Sequence, residues 1–268
     1  MKGCKNFAMH TVDFTKMVAA GNDFVVINNV SGNCKFREPV LPGLAKKICD
    51  RKYGAGADGL LFLQSSSKAD IKMRIFNPDG SEADMCGNGA RCCAAFFEYD
   101  ISSVRAKVIK IDTKAGIIES FVSGDMVRLK MPDPRNMSLG PKINFINTGV
   151  PHAVIFVDDL ENTDVDNMGR QIRNSKEFAP QGTNVNFVKV IDKDTIAART
   201  YERGVEAETL ACGTGSVASA IISGVHNVIT RSGEILKVYF DKKDGKISNV
   251  CLEGSAKIVY TGRFSYDI

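Results

Sequence analysis

A cysteine-led, glycine-rich segment occurs twice in this chain, and that repetition constrains the fold more than any other feature. The first copy reads MCGNGARCCAA at 85 to 95 and the second ACGTGSVASA at 211 to 220. In each, a cysteine is followed by Gly, a small polar residue and Gly, then by apolar residues at helical spacing. The first set is Ala90, Cys93, Ala94 and Phe97; the second is Val217, Ala220, Ile221 and Val225. Cys86 and Cys212 therefore stand where buried helices begin. Backbone N–H groups and the positive end of the helix dipole lower a thiol's pKa and bind anions at that position. A lone CGxG would more often be packing, since a turn needs Gly, but nothing about a turn needs cysteine at the same place twice.

The repetition extends well beyond the two motifs. An offset of 126 carries Gly56 onto Gly182, Asp58 onto Asn184, Asn77 onto Arg203, Cys86 onto Cys212, Gly87 onto Gly213 and Gly89 onto Gly215. Nearer the start the offset is 128, pairing Gly21 with Gly149 and Phe24 with His152. A period this long, occurring only twice, indicates a duplicated domain rather than a solenoid.

In the first half, MVAAGNDFVVIN reads as one strand, 41 to 52 as a helix and LLFLQ as a short buried strand. In 70 to 76, Ile71, Met73 and Ile75 alternate with Lys72 and Arg74. Strands follow the Cys86 helix near 107 to 112, 116 to 122 and 126 to 131, before Pro132 and Pro134. The second half runs the same course, with NTGVPHAVIFV, a helix at 165 to 174, NVNFVKV, IAARTYE, the Cys212 helix, and strands near 235 to 240, 246 to 252 and 256 to 260. The fold class is α+β, two pseudo-symmetric duplicated domains, each a strand-rich, barrel-like sheet wrapped around a central helix. The domains span 1 to 131 and 132 to 255. A pseudo-twofold relation would turn the two helix N-termini toward one another, so that a substrate would meet one thiol on each side.

Composition excludes several classes of function. Apolar residues make up 44% and charged residues 25%, as in ordinary globular proteins. The +4 net charge is spread along the chain, with no nucleic-acid footprint. No apolar stretch approaches the roughly 18 residues of a membrane span, and the first eleven residues lack a signal-peptide core, so a cytoplasmic location is expected. The eight cysteines (Cys4, Cys34, Cys49, Cys86, Cys92, Cys93, Cys212 and Cys251) are expected to be reduced; without a CxxC pair, and with three histidines, they do not read as a zinc site. No metal is expected. Burial is the expectation for all of them except Cys86 and Cys212, and His10 and His226 read as solvated.

Two activated thiols admit several chemistries. A cysteine hydrolase or transferase needs only one. A redox pair is open, although the two are far apart in sequence and lack the CxxC arrangement. The third uses both: one thiolate takes a proton from carbon and the opposite thiol returns one to the other face, inverting a stereocentre. No lysine reads clearly as a pyridoxal phosphate site, so the electron sink would be backbone N–H groups after each cysteine, binding the α-carboxylate and its developing charge.

The segments MVAAGNDF, YGAGADG, RIFNPDGSEADMCGNGARC, GTNVNF and YERGVEAETLACGTG, in that order, resemble the motifs of the diaminopimelate epimerases, from about Val12 to the C-terminus. Proline racemases share the fold and the paired cysteines but resemble this chain less around CGNG and YERG. The resemblance implies a cofactor-independent isomerase that interconverts LL- and meso-diaminopimelate in lysine and peptidoglycan precursor biosynthesis, with its active site in the cleft between the halves. By motif, Cys86 and Cys212 would be the acid/base pair, and His152 and Glu202 would adjust their protonation. Gly87, Asn88, Gly213 and Thr214 would hold the reacting carboxylate. Asn22, Asn77, Asn184, Glu202 and Arg203 would contact the rest of a dicarboxylic diamino acid, with Arg203 on the distal carboxylate. Taken alone, a histidine after proline is more often structural. SAKIVYTGRF resembles the closing strand, 256 to 268, that returns to the first domain, and Tyr260 implies a homodimer, its plain alternative being an ordinary strand tyrosine. The chain departs from the family at Val150, where an Asn is frequent, and at Gly59, where some members carry Gln. The alternatives are another racemase of this fold, a non-catalytic amino-acid-binding relative and a thiol redox sensor. The tail before Val12 has no assigned role.

Overall fold

In the computed structural model, which describes residues 10–32, 38–102 and 108–266, the apolar run near the start is a hairpin rather than one strand. Strands β1 (His10–Ala19) and β2 (Asn22–Asn29) meet through Ala20 and Gly21, at φ 51° and 79°. Ala19 pairs with Asn22, so the loop is a two-residue turn with both residues left-handed, which suits the twist of the flanking strands. Continuous hydrophobicity hides this turn because Ala20 is itself buried.

A 3-10 turn at Glu38–Val40 leads into helix α1 (Leu41–Ile48). The helix stops short of the expected residue 52. Asp50 Oδ1 accepts from the backbone N–H of Lys52 and Tyr53, closing a turn that competes with further helix. Then come β3 (Gly59–Gln64), β4 (Ile71–Phe76), β5 (Glu82–Ala83), α2 (Gly87–Phe96), β6 (Ile109–Thr113) and β7 (Gly116–Ser123). The next strands are β8 (Met126–Lys130), β9 (Arg135–Ser138), β10 (Asn144–Asn147) and β11 (Pro151–Phe156), followed by α3 (Val165–Arg173). The chain continues through β12 (Asn184–Val190), β13 (Thr195–Glu202), β14 (Ala207–Thr209), α4 (Gly213–Ser223), β15 (Asn227–Ile229), β16 (Ile235–Lys243), β17 (Lys246–Ser255) and β18 (Lys257–Tyr266).

Two compact units divide the chain, Met1–Asp125 with Ala256–Ile268, and Met126–Ser255. In the first, neighbouring strands run β18, β1, β2, β3, β4, β6, β7, with β5 against β4. The pairs β2–β3 and β4–β6 are parallel, and their crossovers carry α1 and α2. In the second unit the order is β9, β10, β11, β12, β13, β15, β16, β17, β8, with β14 against β13. There the parallel pairs are β11–β12 and β13–β15, and the crossovers carry α3 and α4. The order from β18 to β7 recurs as β9 to β16, as expected of a duplication, and the second unit adds β17 and β8. Strand β8 pairs with β17 and belongs to the second unit, although the sequence is punctuated only at Pro132.

Each unit is built around one enclosed helix. α2 touches β1, β2, β3, β4, β6, β7 and β18, and α4 touches β10, β11, β12, β13, β15 and β16. Apolar spacing suggests one buried face, yet burial runs nearly all round: Ala90, Arg91, Cys92, Cys93 and Ala94 have no exposure, nor do Val217, Ala218, Ser219 and Ala220. The two expected outer members differ, with Phe97 only half-buried beyond the end of α2, and Val225 buried beyond the end of α4. A helix surrounded by strands has no solvent side, so small residues replace most of the usual polar face, and the one buried charge, Arg91, bonds to Asn88. Among the described residues no helix is long and apolar enough to cross a membrane.

No disulfide joins any of the six described cysteines. Cys49, Cys92 and Cys93 are buried, whereas Cys251 on β17 is only half-buried. Cys4 and Cys34 lie outside the described residues. His10 and His226 are exposed, the latter bonded through Nδ1 to the Val238 carbonyl.

Candidate active site

Cys86 is the N-cap of α2, with extended backbone (φ −142°, ψ 124°), and its Sγ accepts from the Gly89 N–H at 3.5 Å. The first intrahelical bond runs from Ala90 N–H to Cys86 O at 2.8 Å. The amides of Gly87 and Asn88 therefore precede the hydrogen-bonded ladder and point along the helix axis, where an anion would find them. Asn88 is buried, and its Oδ1 accepts from Arg91 Nη2 at 2.8 Å. This leaves the Asn88 side-chain N–H groups as donors.

Cys212 caps α4 in the same extended conformation (φ −113°, ψ 112°), with Ser216 N–H bonded to its carbonyl at 2.9 Å. Its sulfur is treated differently: it lies 3.5 Å from Thr214 Oγ1 and shares a hydrogen bond with the Glu202 carboxyl. Burial raises the Glu202 pKa, while hydrogen bonds from Thr209 and Cys212 oppose that rise. Thr209 Oγ1 donates to Glu202 Oε2 at 3.0 Å. Gly213 and Gly215 have distinct reasons to lack side chains. A Cβ at 213 would come 3.0 Å from Leu252 Cδ2, and one at 215 would run into Asn186 Oδ1.

The other expected residues are distributed over both units. Asn22 follows the hairpin turn, and its buried Oδ1 has no hydrogen-bond partner among the described residues. Asn77 is exposed after β4, its Nδ2 donating to Ser81 Oγ at 2.9 Å. In the second unit, Asn184 Nδ2 donates to Pro151 O at 3.0 Å and its Oδ1 accepts from Arg203 N–H at 2.8 Å. That amide positions the backbone of two neighbours, so Asn184 has less freedom to meet a ligand than its motif suggests. The Arg203 guanidinium donates to Gln181 O at 3.3 Å and has no carboxylate partner among the described residues. It is a half-buried cation shaped for a carboxylate.

His152, on β11, has no exposure. Its pKa is pushed down to about 3 by burial, with the positive charge of Arg203 adding to the effect. The imidazole is therefore neutral at physiological pH. Among the described residues no cluster of three or more His, Cys, Asp or Glu is placed to hold a metal.

A family model described as diaminopimelate epimerase matches residues 14–135 and 144–266 of this chain. The chain belongs to the diaminopimelate epimerase family. The diaminopimelate epimerase of Aquifex aeolicus (strain VF5) is 41% identical over 281 residues, covering 96% of this chain and 99% of that protein. Among solved structures, a Bacillus anthracis phenazine biosynthesis protein of the PhzF family has a TM-score of 0.72 at 19% identity, covering 97% of this chain and all of that one. A hydroxyproline epimerase from Agrobacterium vitis has a TM-score of 0.65 at 15% identity, covering 96% of this chain and 93% of that one. These two share the fold, which is thus the duplicated epimerase fold expected from the repeat.

Within this family fold, sequence reasoning passed over one residue of the site. Asn186, on β12, is fully buried and bonds to His152, to the backbone and to Thr200. Its signal was present in GTNVNF, where a second Asn sits two residues after Asn184 and so faces the same side of the strand. A polar residue on the buried face of an otherwise apolar strand needs partners, and here it has them.

Proposed function

We propose that this chain interconverts LL- and meso-diaminopimelate by two-thiol proton transfer, without a cofactor. The observation that carries the proposal is the recurrence of a cysteine N-cap at the same place in both units, in a member of an epimerase family. One thiolate takes the α-proton, leaving a carbanion whose charge spreads into the α-carboxylate, and the other thiol gives its proton to the opposite face. At the end of the turnover the first cysteine is a thiol and the second a thiolate. The amides of Gly87, Asn88, Gly213 and Thr214 hold the carboxylate and stabilise the charge that develops on it.

The sulfur environments favour one starting arrangement. Cys86 accepts from a backbone N–H, which suits a thiolate, while Cys212 shares its hydrogen bond with a carboxyl, which suits a protonated thiol. Arg203 takes the distal carboxylate, and Asn22, Asn77, Asn184 and Glu202 address the remaining polar groups. Asn77 occupies in the first unit the position that Arg203 occupies in the second, so the duplicated frame distinguishes the two ends of its substrate. Tyr260, whose hydroxyl donates to Ala55 O at 3.2 Å, sits on a strand where Ile258, Val259 and Tyr260 are exposed; that strip is the proposed homodimer contact.

The test is α-hydrogen exchange in deuterated water with both isomers under reducing conditions. The parent is expected to incorporate deuterium and epimerise, and Cys86→Ala and Cys212→Ala each to lose epimerisation by about 10³-fold or more. Exchange of proline in place of diaminopimelate would overturn the substrate assignment, and epimerisation by either single mutant would overturn the two-thiol mechanism.

A further inference from the structure

The Asn186 amide has its orientation fixed by a backbone carbonyl. Its Nδ2 donates to the Ala153 carbonyl at 2.9 Å, an oxygen that can only accept, and its Oδ1 receives the Thr200 hydroxyl at 3.0 Å. The same Nδ2 lies 3.1 Å from His152 Nδ1. With the nitrogen of the amide so identified, its second hydrogen points at Nδ1, which must be the bare, accepting nitrogen of the ring. The proton of the neutral imidazole is then on Nε2. That atom is buried and has no hydrogen-bond partner among the described residues. A buried donor left unmet is costly, so a working site is expected to bring it an acceptor. Protonating the ring would set an Nδ1–H against the Asn186 N–H, which opposes use of His152 as a base.

We propose that Asn186 is a positioning residue that locks His152 in its Nε2–H tautomer, making the imidazole a hydrogen-bond donor to an anion of the reaction rather than a proton acceptor. The proposal rests on the epimerase reading for its catalytic half. The tautomer itself does not depend on that reading. The pKa of this buried ring, lowered by desolvation and by the charge of Arg203, agrees with a group that stays neutral through the cycle. The place of Gly215 also agrees, since any side chain there would displace the Asn186 oxygen.

Nuclear magnetic resonance of the full chain labelled with ¹⁵N-histidine reads the tautomer directly, with the His152 signals assigned by their loss in His152→Leu. The parent is expected to carry its ring proton on Nε2 and to have a bare Nδ1 at neutral pH; a proton on Nδ1 would overturn the proposal. Asn186→Asp, whose carboxylate accepts from Nδ1–H, is expected to move the proton and lower kcat about 10²-fold, with KM within about threefold. A moved proton with unchanged kcat would sink the catalytic half. Should that variant fail to fold, two substitutions of His152 decide the same point. Glutamine donates a hydrogen bond but takes up no proton, so His152→Gln is expected to retain at least about tenfold more activity than His152→Leu. Equal loss in both would overturn the donor role. If the parent exchanges no α-hydrogen of diaminopimelate, the proposed function falls, while the parent's ring spectrum still decides what Asn186 does.

Discussion

The two cysteine caps share backbone geometry, while different groups bond to the two sulfurs. At Cys86 the thiol accepts from Gly89 N–H on its own helix, and at Cys212 it meets the Thr214 hydroxyl and the Glu202 carboxyl. Their helices end differently too. α4 closes on Gly224, left-handed at φ 70°, whose N–H and that of Val225 reach back into the last turn, whereas α2 runs on into a wider turn at Phe97–Ile101. Duplication thus preserved the cysteine-capped helix N-terminus and released the residues around each sulfur; in the proposed mechanism the former presents amides to a carboxylate and the latter set the protonation of each thiol. A two-base inversion needs that combination, because at any moment one sulfur must be the base and the other the acid.

The largest effect expected to sharpen this contrast comes from the broken symmetry at positions 77 and 203. Arg203→Met is expected to raise KM for diaminopimelate about 10²-fold while leaving exchange of an analogue lacking the distal carboxylate nearly unchanged; steady-state kinetics on both compounds would check it. An equal loss on both would place Arg203 at the reacting end.

Next in size is Glu202→Gln. Losing the carboxyl beside Cys212 is expected to lower kcat by about 10–100-fold with Cys86 chemistry intact, as α-hydrogen exchange would show. Stability is expected to move the other way. Burial raises the folded-state pKa of Glu202 above its unfolded value, so the folded state holds the proton longer. The stability of the parent is full below the unfolded pKa and falls as pH rises through the folded one. Thermal melts should therefore show Glu202→Gln gaining on the parent as pH rises through that window, and matching it in acid. A constant difference at all pH values would remove the buried carboxylate from the account.

Smaller effects separate the second glycines of the two motifs. A Cβ at Gly89 would lie 3.1 Å from Leu61 Cδ2 and 3.5 Å from Ile75 Cδ1, both flexible side-chain ends, while one at Gly215 would strike Asn186 Oδ1. Both positions are helical, where alanine gains up to about 1 kcal/mol over glycine. Gly89→Ala is expected to change unfolding free energy by less than about 1 kcal/mol, and Gly215→Ala to cost about 1–3 kcal/mol. Denaturant titration would reveal a reversal of that order. Least of all, Thr214→Val removes a hydroxyl 3.5 Å from the Cys212 sulfur, and kcat is expected to stay within about fivefold.

Much of this was legible before any coordinates. The helices after Cys86 and Cys212 and the alternation through β4 were readable because helix and strand periodicities are local properties of the chain. The hairpin at Ala20 and Gly21 was not, because its turn is apolar and buried, and turn signals rest on polarity as much as on glycine. Short strands such as β5, β14 and β15 were also missed, being two or three residues long and defined only by the partner they pair with. Asn184 shows the limit for site residues: its motif marks a polar position, but whether that amide faces a ligand or holds Pro151 and Arg203 depends on neighbours from other strands.

By itself the sequence determined the duplication, the two cysteine-capped helices, the family and thereby the chemistry expected of it. These follow from residue identity and spacing along one chain. Only the tertiary structure decided that the central helices are buried on every side, that the two sulfurs have unlike partners, and that Asn186 sets the tautomer of His152. Burial, hydrogen-bond direction and proton position are relations among groups distant in sequence, and they acquire values only once the strands have paired.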